Sequence, residues 1–203
     1  MADMNPQSEK QPRMRGADRA AMMIEEADRQ INERRNARIS PADIAGDIGT
    51  SRSLIYSYFP DSSALLIAVL DRHAEILSQA GIKEAVARYD FASSMIDCSL
   101  IYLDHVVAHG AAIELCFRDK WLARNLDGAM RTLGKGIYRQ LARQAQHELN
   151  YSVRDALGTV QILQSIPEEA ARLVRSGHIS LSVAHNLCRR LITASIDELR
   201  PSF

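Results

Sequence analysis

Four consecutive polar residues and a nearby tyrosine carry the clearest chemistry in this chain. Thr50-Ser51-Arg52-Ser53 sets three hydroxyls and one guanidinium in a row, and Tyr56 follows four residues after Arg52. On a helix that spacing brings Arg52 and Tyr56 to one outward face, while Ile55 and Phe59, also four apart, can anchor the opposite face. An arginine can pair bidentately with guanine, hydroxyls can bond phosphates or base edges, and a tyrosine can reach a phosphate oxygen or pack on a thymine methyl. The bland alternative is a small helical bundle with surface serines that touch nothing. The chain as a whole offers a polyanion no long-range attraction, because 25 Lys and Arg balance 25 Asp and Glu. Any affinity for nucleic acid must therefore be local.

Positioning that row requires a short helix held against others, and the flanking sequence supplies the ends. From Asp18 the apolar Ala20, Met23, Ile24, Ala27 and Ile31 recur every three or four residues, predicting an amphipathic helix that ends near Arg35. Ser40, Pro41 and Asp43 offer a capping hydroxyl, a proline suited to the first helical position and an acid near the positive end of the dipole. A second helix is expected from Pro41, with Ile44, Ala45 and Ile48 inward and Gly49 as its stop, since glycine accepts the positive φ of a tight turn. Thr50 is then placed to cap a third helix, Ser51 to about Tyr58. Pro60 ends it, and Asp61 is a strong cap for a fourth, Ser62 to about Gln79.

Two short helices joined by a glycine turn and followed by a longer one can send one helix into the major groove of DNA. In this setting SPADIAGDIGTSRSLIYSYFPDSSALLIAVL resembles the signature of the TetR family of bacterial transcriptional regulators, over roughly residues 18–70. The resemblance implies that Ser40 and the start of the second helix contact phosphate, that Ser51 to Tyr56 read the groove, and that Tyr58 reaches the DNA backbone. Ile44, Ala45, Gly49, Ile55 and Phe59 would be scaffold. The sequence departs from the family pattern twice. Arg35 and Asn36, in the basic stretch Arg34-Arg35-Asn36-Ala37-Arg38, stand where the family usually has glycine and an aromatic, and Ser62 stands where it usually has a phosphate-binding lysine. The inter-helix arginines Arg34, Arg35 and Arg38 are expected to replace that missing charge.

The domain organisation expected is a flexible basic arm (1–16, with Lys10, Arg13 and Arg15), a helix-turn-helix domain (17–61) and a larger helical domain (62–203). Beyond the fourth helix no alternating strand pattern occurs, only apolar helical stretches punctuated at Gly81, Asp90, Gly110, Gly134/Gly136, Asn150, Gly177 and Pro201. The fold class is therefore all-α. A helix is expected to begin at Pro167-Glu168-Glu169 and end at Gly177, and Ser180 to cap a last one. That last helix carries Val183, Leu187 and Leu191 beside Ala184, Cys188 and Ile192, a stripe broader than one neighbour needs. Val183, Ala184, Leu187 and Leu191 are the expected dimer contacts, unless they only fill the monomer core. By resemblance, the chain is a homodimer that represses from a palindromic operator, with recognition helices about one DNA turn (~34 Å) or somewhat more apart, and is released by a small-molecule inducer. A DNA-binding structural or division-linked factor without an inducer is the alternative.

For such a ligand the legible candidates are Tyr102, His105 and His109 on the helix Phe91 to His109, with Arg118 and Trp121 after it. His105 and His109, one turn apart, could also hold a metal with Asp104 or Glu114, but surface or satisfied polar positions explain them more simply, so neither metal nor cofactor is assigned. Enzymatic signatures are missing: there is no GxGxxG, P-loop, HExxH or GxSxG, and the acid pairs Glu25/Glu26 and Glu168/Glu169 are adjacent residues that do not face each other on a helix. Cys98, Cys116 and Cys188 are too dispersed for a zinc knuckle or dithiol and read as buried thiols. No apolar run approaches the roughly 20 residues of a membrane span and the opening MADMNPQSEKQPRMRG has no signal-peptide core, so a cytoplasmic protein is expected.

Overall fold

The computed structural model describes residues 16–88 and 90–201, which form eleven helices and no strand. The expected arm lies outside the described residues except for Gly16, which opens α1 (Gly16–Arg34). Met23, Ala27 and Ile31 are buried along α1, as their spacing predicts. Ser40 caps α2 (Pro41–Asp47) by accepting the Asp43 amide at 3.4 Å, and the chain turns through Gly49 at φ +64°. In α3 (Arg52–Tyr58) the cap is Ser51, whose Oγ accepts the Leu54 amide at 3.2 Å. Thr50 is not the cap expected from the sequence. α3 begins at Arg52, which leaves Thr50 one residue too early to close its first turn, with the Thr50 amide bonded back to the Ala45 carbonyl at 2.8 Å. Asp61 caps α4 (Ser62–Gln79), accepting the Ala64 amide at 2.8 Å.

The rest of the chain forms α5 (Ile82–Val86), α6 (Phe91–His109), α7 (Ala112–Arg118), α8 (Lys120–Asn125), α9 (Ala129–Leu149), α10 (Val153–Arg175) and α11 (Leu181–Leu199). Two expected breaks are not breaks. α9 runs through Gly134 and Gly136, where a Cβ would touch nothing, so the only cost is the backbone freedom of glycine, about 1 kcal/mol each. α10 runs through Pro167 and starts fourteen residues before it (167 − 153), because Ala156, Val160, Leu163, Pro167, Ala170 and Ala171 make one continuous buried stripe. That packing outweighs the backbone hydrogen bond a proline forfeits. α6 is long and apolar enough to cross a membrane by composition, and half of that stretch is buried among α5, α9, α10 and α11, which accounts for its apolarity.

One apolar cluster runs without interruption from Met23, Ile31, Ile44 and Ile55 through Leu65, Val69 and Leu77 to Cys116, Leu122 and Met130. The boundary expected at 61/62 is thus a chain turn and not a gap in packing. α4 belongs to both sides of it.

Candidate nucleic-acid interface and ligand cavity

The helix pair α2–α3 is held to α1 by a polar network as well as by its core. Asp47, the last residue of α2, accepts from Arg29 Nη2 and from Gln30 Nε2, each at 3.0 Å. Arg29 also grips Glu26 at 2.6 Å and holds its carboxyl down to about 2. Beneath α3, Ile55 and Phe59 are buried. Above it, Ser51, Arg52, Ser53 and Tyr56 are all exposed, with the Arg52 guanidinium 6.0 Å from the centre of the Tyr56 ring. Six residues of one short segment are thereby divided between anchor and free face as the spacing predicts. Thr50 and Ser40 are half-buried at the two helix starts, and Tyr58 is half-buried with its hydroxyl against Gly16 at the start of α1.

The basic stretch has a less uniform role than its composition suggests. Arg34 is engaged by Asp43 at 2.8 Å, so it ties α1 to the first turn of α2. Arg35 and Arg38 are exposed and have no ion-pair partner among the described residues. Arg35 sits at φ +50°, in the left-handed region that glycine occupies without strain.

A second polar network crosses from α1 to the larger helical assembly. His73 on α4 and His105 on α6 are 1% and 5% exposed, and His73 Nδ1 lies 2.9 Å from His105 Nε2. The other His73 nitrogen meets Asp28 of α1 at 3.3 Å. Burial, with His73 and His109 nearby, pushes the His105 imidazole down to about 3, so it is neutral at ordinary pH. One turn further along α1, Asn32 accepts the Ala111 amide at 2.7 Å, passing over Gly110, where any Cβ would collide with it. His105 and His109, expected as ligand contacts, therefore belong to this seam. Their ring centroids are 4.9 Å apart, and among the described residues no group of three or more His, Cys, Asp or Glu is placed to hold a metal ion. Asp104 faces away, pairing with His185 of α11 at 2.6 Å.

The cavity lies further along the same faces of α4 and α6, where Leu77 follows His73 by four residues and Cys98 and Tyr102 precede His105 by seven and three. It measures about 440 Å³ and draws its lining from α4 to α10, including Leu77, Tyr102, Phe117, Leu133, Tyr138 and Glu168. Of the five residues expected to contact a ligand, only Tyr102 is there. Arg118 is turned outward and bonded to Glu114 at 2.7 Å, and Trp121 is 60% exposed on α8, where its backbone is held by Asp119. Tyr138, Gln164 and Glu168 were not singled out from sequence, although Gln164 and Glu168, four apart beside the apolar stripe of α10, carry a readable signal. Burial raises the hydroxyl pKa of Tyr102 and takes that of Tyr138 to about 12. The carboxyl of Glu168 goes up for the same reason, with Glu114 adding to the effect and Arg118 opposing it.

This architecture recurs in solved structures of transcriptional regulators. A TetR-like transcriptional regulator from Rhodococcus sp. RHA1 superposes with a TM-score of 0.69 at 18% identity, covering 91% of this chain and 99% of that one. The chain has the TetR fold. A TetR-family regulator from Streptomyces coelicolor shares it (TM-score 0.54, 20% identity, 92% and 86% covered), as does a regulator from Saccharomonospora viridis solved with choline (TM-score 0.55, 18% identity, 89% and 96% covered). In sequence, a stretch of 66 residues is 35% identical to the HTH-type transcriptional regulator EthR of Mycolicibacterium smegmatis. That stretch is 32% of this chain and spans 30% of that relative's length. No family model matches the sequence.

Within the TetR fold the last helix shows two apolar faces where the sequence showed one broad stripe. Ala184, Cys188, Ile192 and Ile196 are fully buried in the chain's own core, so Ala184 is corrected from a dimer contact to a core residue. Val183, Leu187 and Leu191 stand 45%, 41% and 50% exposed on the outer face, and Ile162 of the adjoining α10 is 71% exposed. All three cysteines are buried free thiols, and burial pushes Cys98 and Cys116 up to about 12, which keeps them protonated and unreactive.

Proposed function

We propose that this protein is a cytoplasmic TetR-like transcriptional regulator that binds a palindromic operator as a homodimer and is released by a small molecule. The observation that carries the reading is the free face of α3. Ser51, Arg52, Ser53 and Tyr56 share exposed positions on a helix whose opposite side is locked by Ile55, Phe59 and the Ser51 cap. Arg52 and Tyr56 read bases or thymine methyls in this scheme. Ser40, Thr50, Ser53, Tyr58 and the exposed Arg35 and Arg38 approach phosphate. Val183, Leu187 and Leu191, with Ile162, form the surface that a second copy covers, giving a four-helix interface with a twofold axis. The ligand is assigned to the cavity beside α6, whose size suits a small molecule and would be unused in a purely structural DNA-binding factor. A protein of this fold solved with choline supports that assignment.

Selecting genomic fragments with the purified protein yields the operator for the test. Replacing Arg52 and Tyr56 together by alanine lowers operator affinity by ~10- to 100-fold, with the melting temperature unchanged. Full affinity in the folded double variant would remove α3 from the interface and the proposal with it.

A further inference from the structure

We infer that the cavity takes an apolar cation, a molecule whose ammonium or similar positive centre sits beside Glu168 while its hydrocarbon body fills the space lined by Leu77, Ile113, Met130 and Leu133. The inference rests on the reading of this cavity as the ligand site and adds to it the chemical class of the ligand.

The charges around the cavity are unequal in what they have left to give. Four charged residues line it: Glu114, Arg131, Lys135 and Glu168. Arg131 directs its Nη1 to the carbonyls of Ala123, Arg124 and Leu126, at 2.8, 3.1 and 2.9 Å, and so serves the end of α8. Lys135 is exposed at the surface, where water already solvates it. Glu114 is bonded to Arg118. Glu168 alone of the four is withdrawn from solvent without a hydrogen-bond or ion-pair partner among the described residues.

A carboxylate in that position has two remedies. It can take up a proton, or a counter-charge can enter the cavity with the ligand. The surroundings favour the second. Glu114 lies close enough to add repulsion, but it is already paired with Arg118, so the counter-charge a ligand brings answers to Glu168. The rings of Phe117, Tyr102 and Tyr138 line the same space, and aromatic faces attract desolvated cations. Gly134 of α9 leaves room that a side chain would take. The cavity, about 440 Å³, suits a molecule with one charged head and an apolar body. An anionic ligand would meet Glu168 and Glu114 with no uncommitted cation except the solvated Lys135.

Isothermal titration of the purified full chain, without DNA, tests the class with three probes of equal length: phenylpropyl-trimethylammonium, its neutral tert-butyl isostere and the matching phenylalkyl carboxylate. The cation is expected to bind at least ~10-fold more tightly than the isostere. Glu168→Gln is expected to remove that advantage while leaving the isostere's affinity and the melting temperature unchanged. Equal affinities, a preference for the carboxylate, an advantage that persists in E168Q, or no binding of any probe at millimolar concentration would each overturn the inference. Operator binding is measured separately. Loss of DNA recognition with cation binding intact would count against the regulator reading and not against this one.

Discussion

The helices that carry Arg52 and the helices that enclose the cavity are built in opposite ways. Around the free face of α3, α2 and α3 are seven residues each, their starts are closed by Ser40 and Ser51 acting on amides three residues on, and Ile44, Ile55 and Phe59 are buried beneath them. Around the cavity the lining comes from seven helices, long (α4, α6, α9, α10) and short (α5, α7, α8) together, and the packing leaves about 440 Å³ empty with an unpaired carboxylate at its edge. A surface that must match DNA gains from rigidity, because misplacing a side chain by an ångström costs a base contact. A site that responds to a ligand needs room and an unsatisfied group. Under the proposed function, the contrast follows from the two tasks.

The sharpest way to break this comparison is to truncate one apolar side chain on each side. Ile55→Ala is expected to destabilise the protein by ~2–5 kcal/mol in chemical denaturation, because a fully buried side chain is removed from a filled core. Leu133→Ala, at the cavity wall and half-exposed, should cost under ~1.5 kcal/mol. Similar losses would mean that the cavity region is as tightly packed as the helix-turn-helix.

The seam between the two regions should respond to acid. With His105 pushed down to about 3 from an ordinary value near 6.5, the unfolded chain binds more protons than the folded one between those limits. The stability tied to this group is complete above pH 6.5 and is lost as pH falls, by up to ~2 kcal/mol at pH 5. His105→Leu should flatten that slope in melting experiments at pH 7, 6 and 5. A slope identical to the parent's would place the acid sensitivity elsewhere. The smallest effect distinguishes neighbouring hydroxyls. Ser51→Ala is expected to cost ~1 kcal/mol through loss of the α3 cap, and Thr50→Ala under ~0.5 kcal/mol. The reverse order would restore the sequence-based assignment.

That pair also shows where sequence reading stops. Thr50 and Ser51 are both good caps. Which of them caps is decided by where α3 begins, at Arg52, and that depends on how the turn through Gly49 closes. Ser40, Gly49, Asp61 and Ser180 were legible because a cap or a left-handed turn is fixed by residues within three positions. α10 was misjudged at Pro167, since the local signal for a helix start was outweighed by a stripe of packing visible only against α6 and α9. Tyr102 could be picked out as an amphipathic residue on an apolar helix. His105, with the same credentials, turns out to face His73, thirty-two residues earlier (105 − 73). On α11 the sequence showed apolar residues on adjoining faces and could not say which one the chain uses itself. Burial assigns Ala184 and Cys188 inward and leaves Val183, Leu187 and Leu191 out.

The sharing of α4 between the two cores gives the molecule a mechanical property. Leu77 lines the cavity near one end of that helix, and Ser62 begins the other end three residues after α3 closes at Phe59. At 1.5 Å per residue the stretch from 62 to 77 is a rigid arm about 22 Å long. Tilting it by about 5° at the cavity would swing the far end by about 2 Å, and two arms moving apart in a symmetric pair would change their spacing by about 4 Å against a DNA repeat of ~34 Å. Under the proposed function, a displacement too small to notice around a bound molecule is then large where hydrogen bonds to bases must be met.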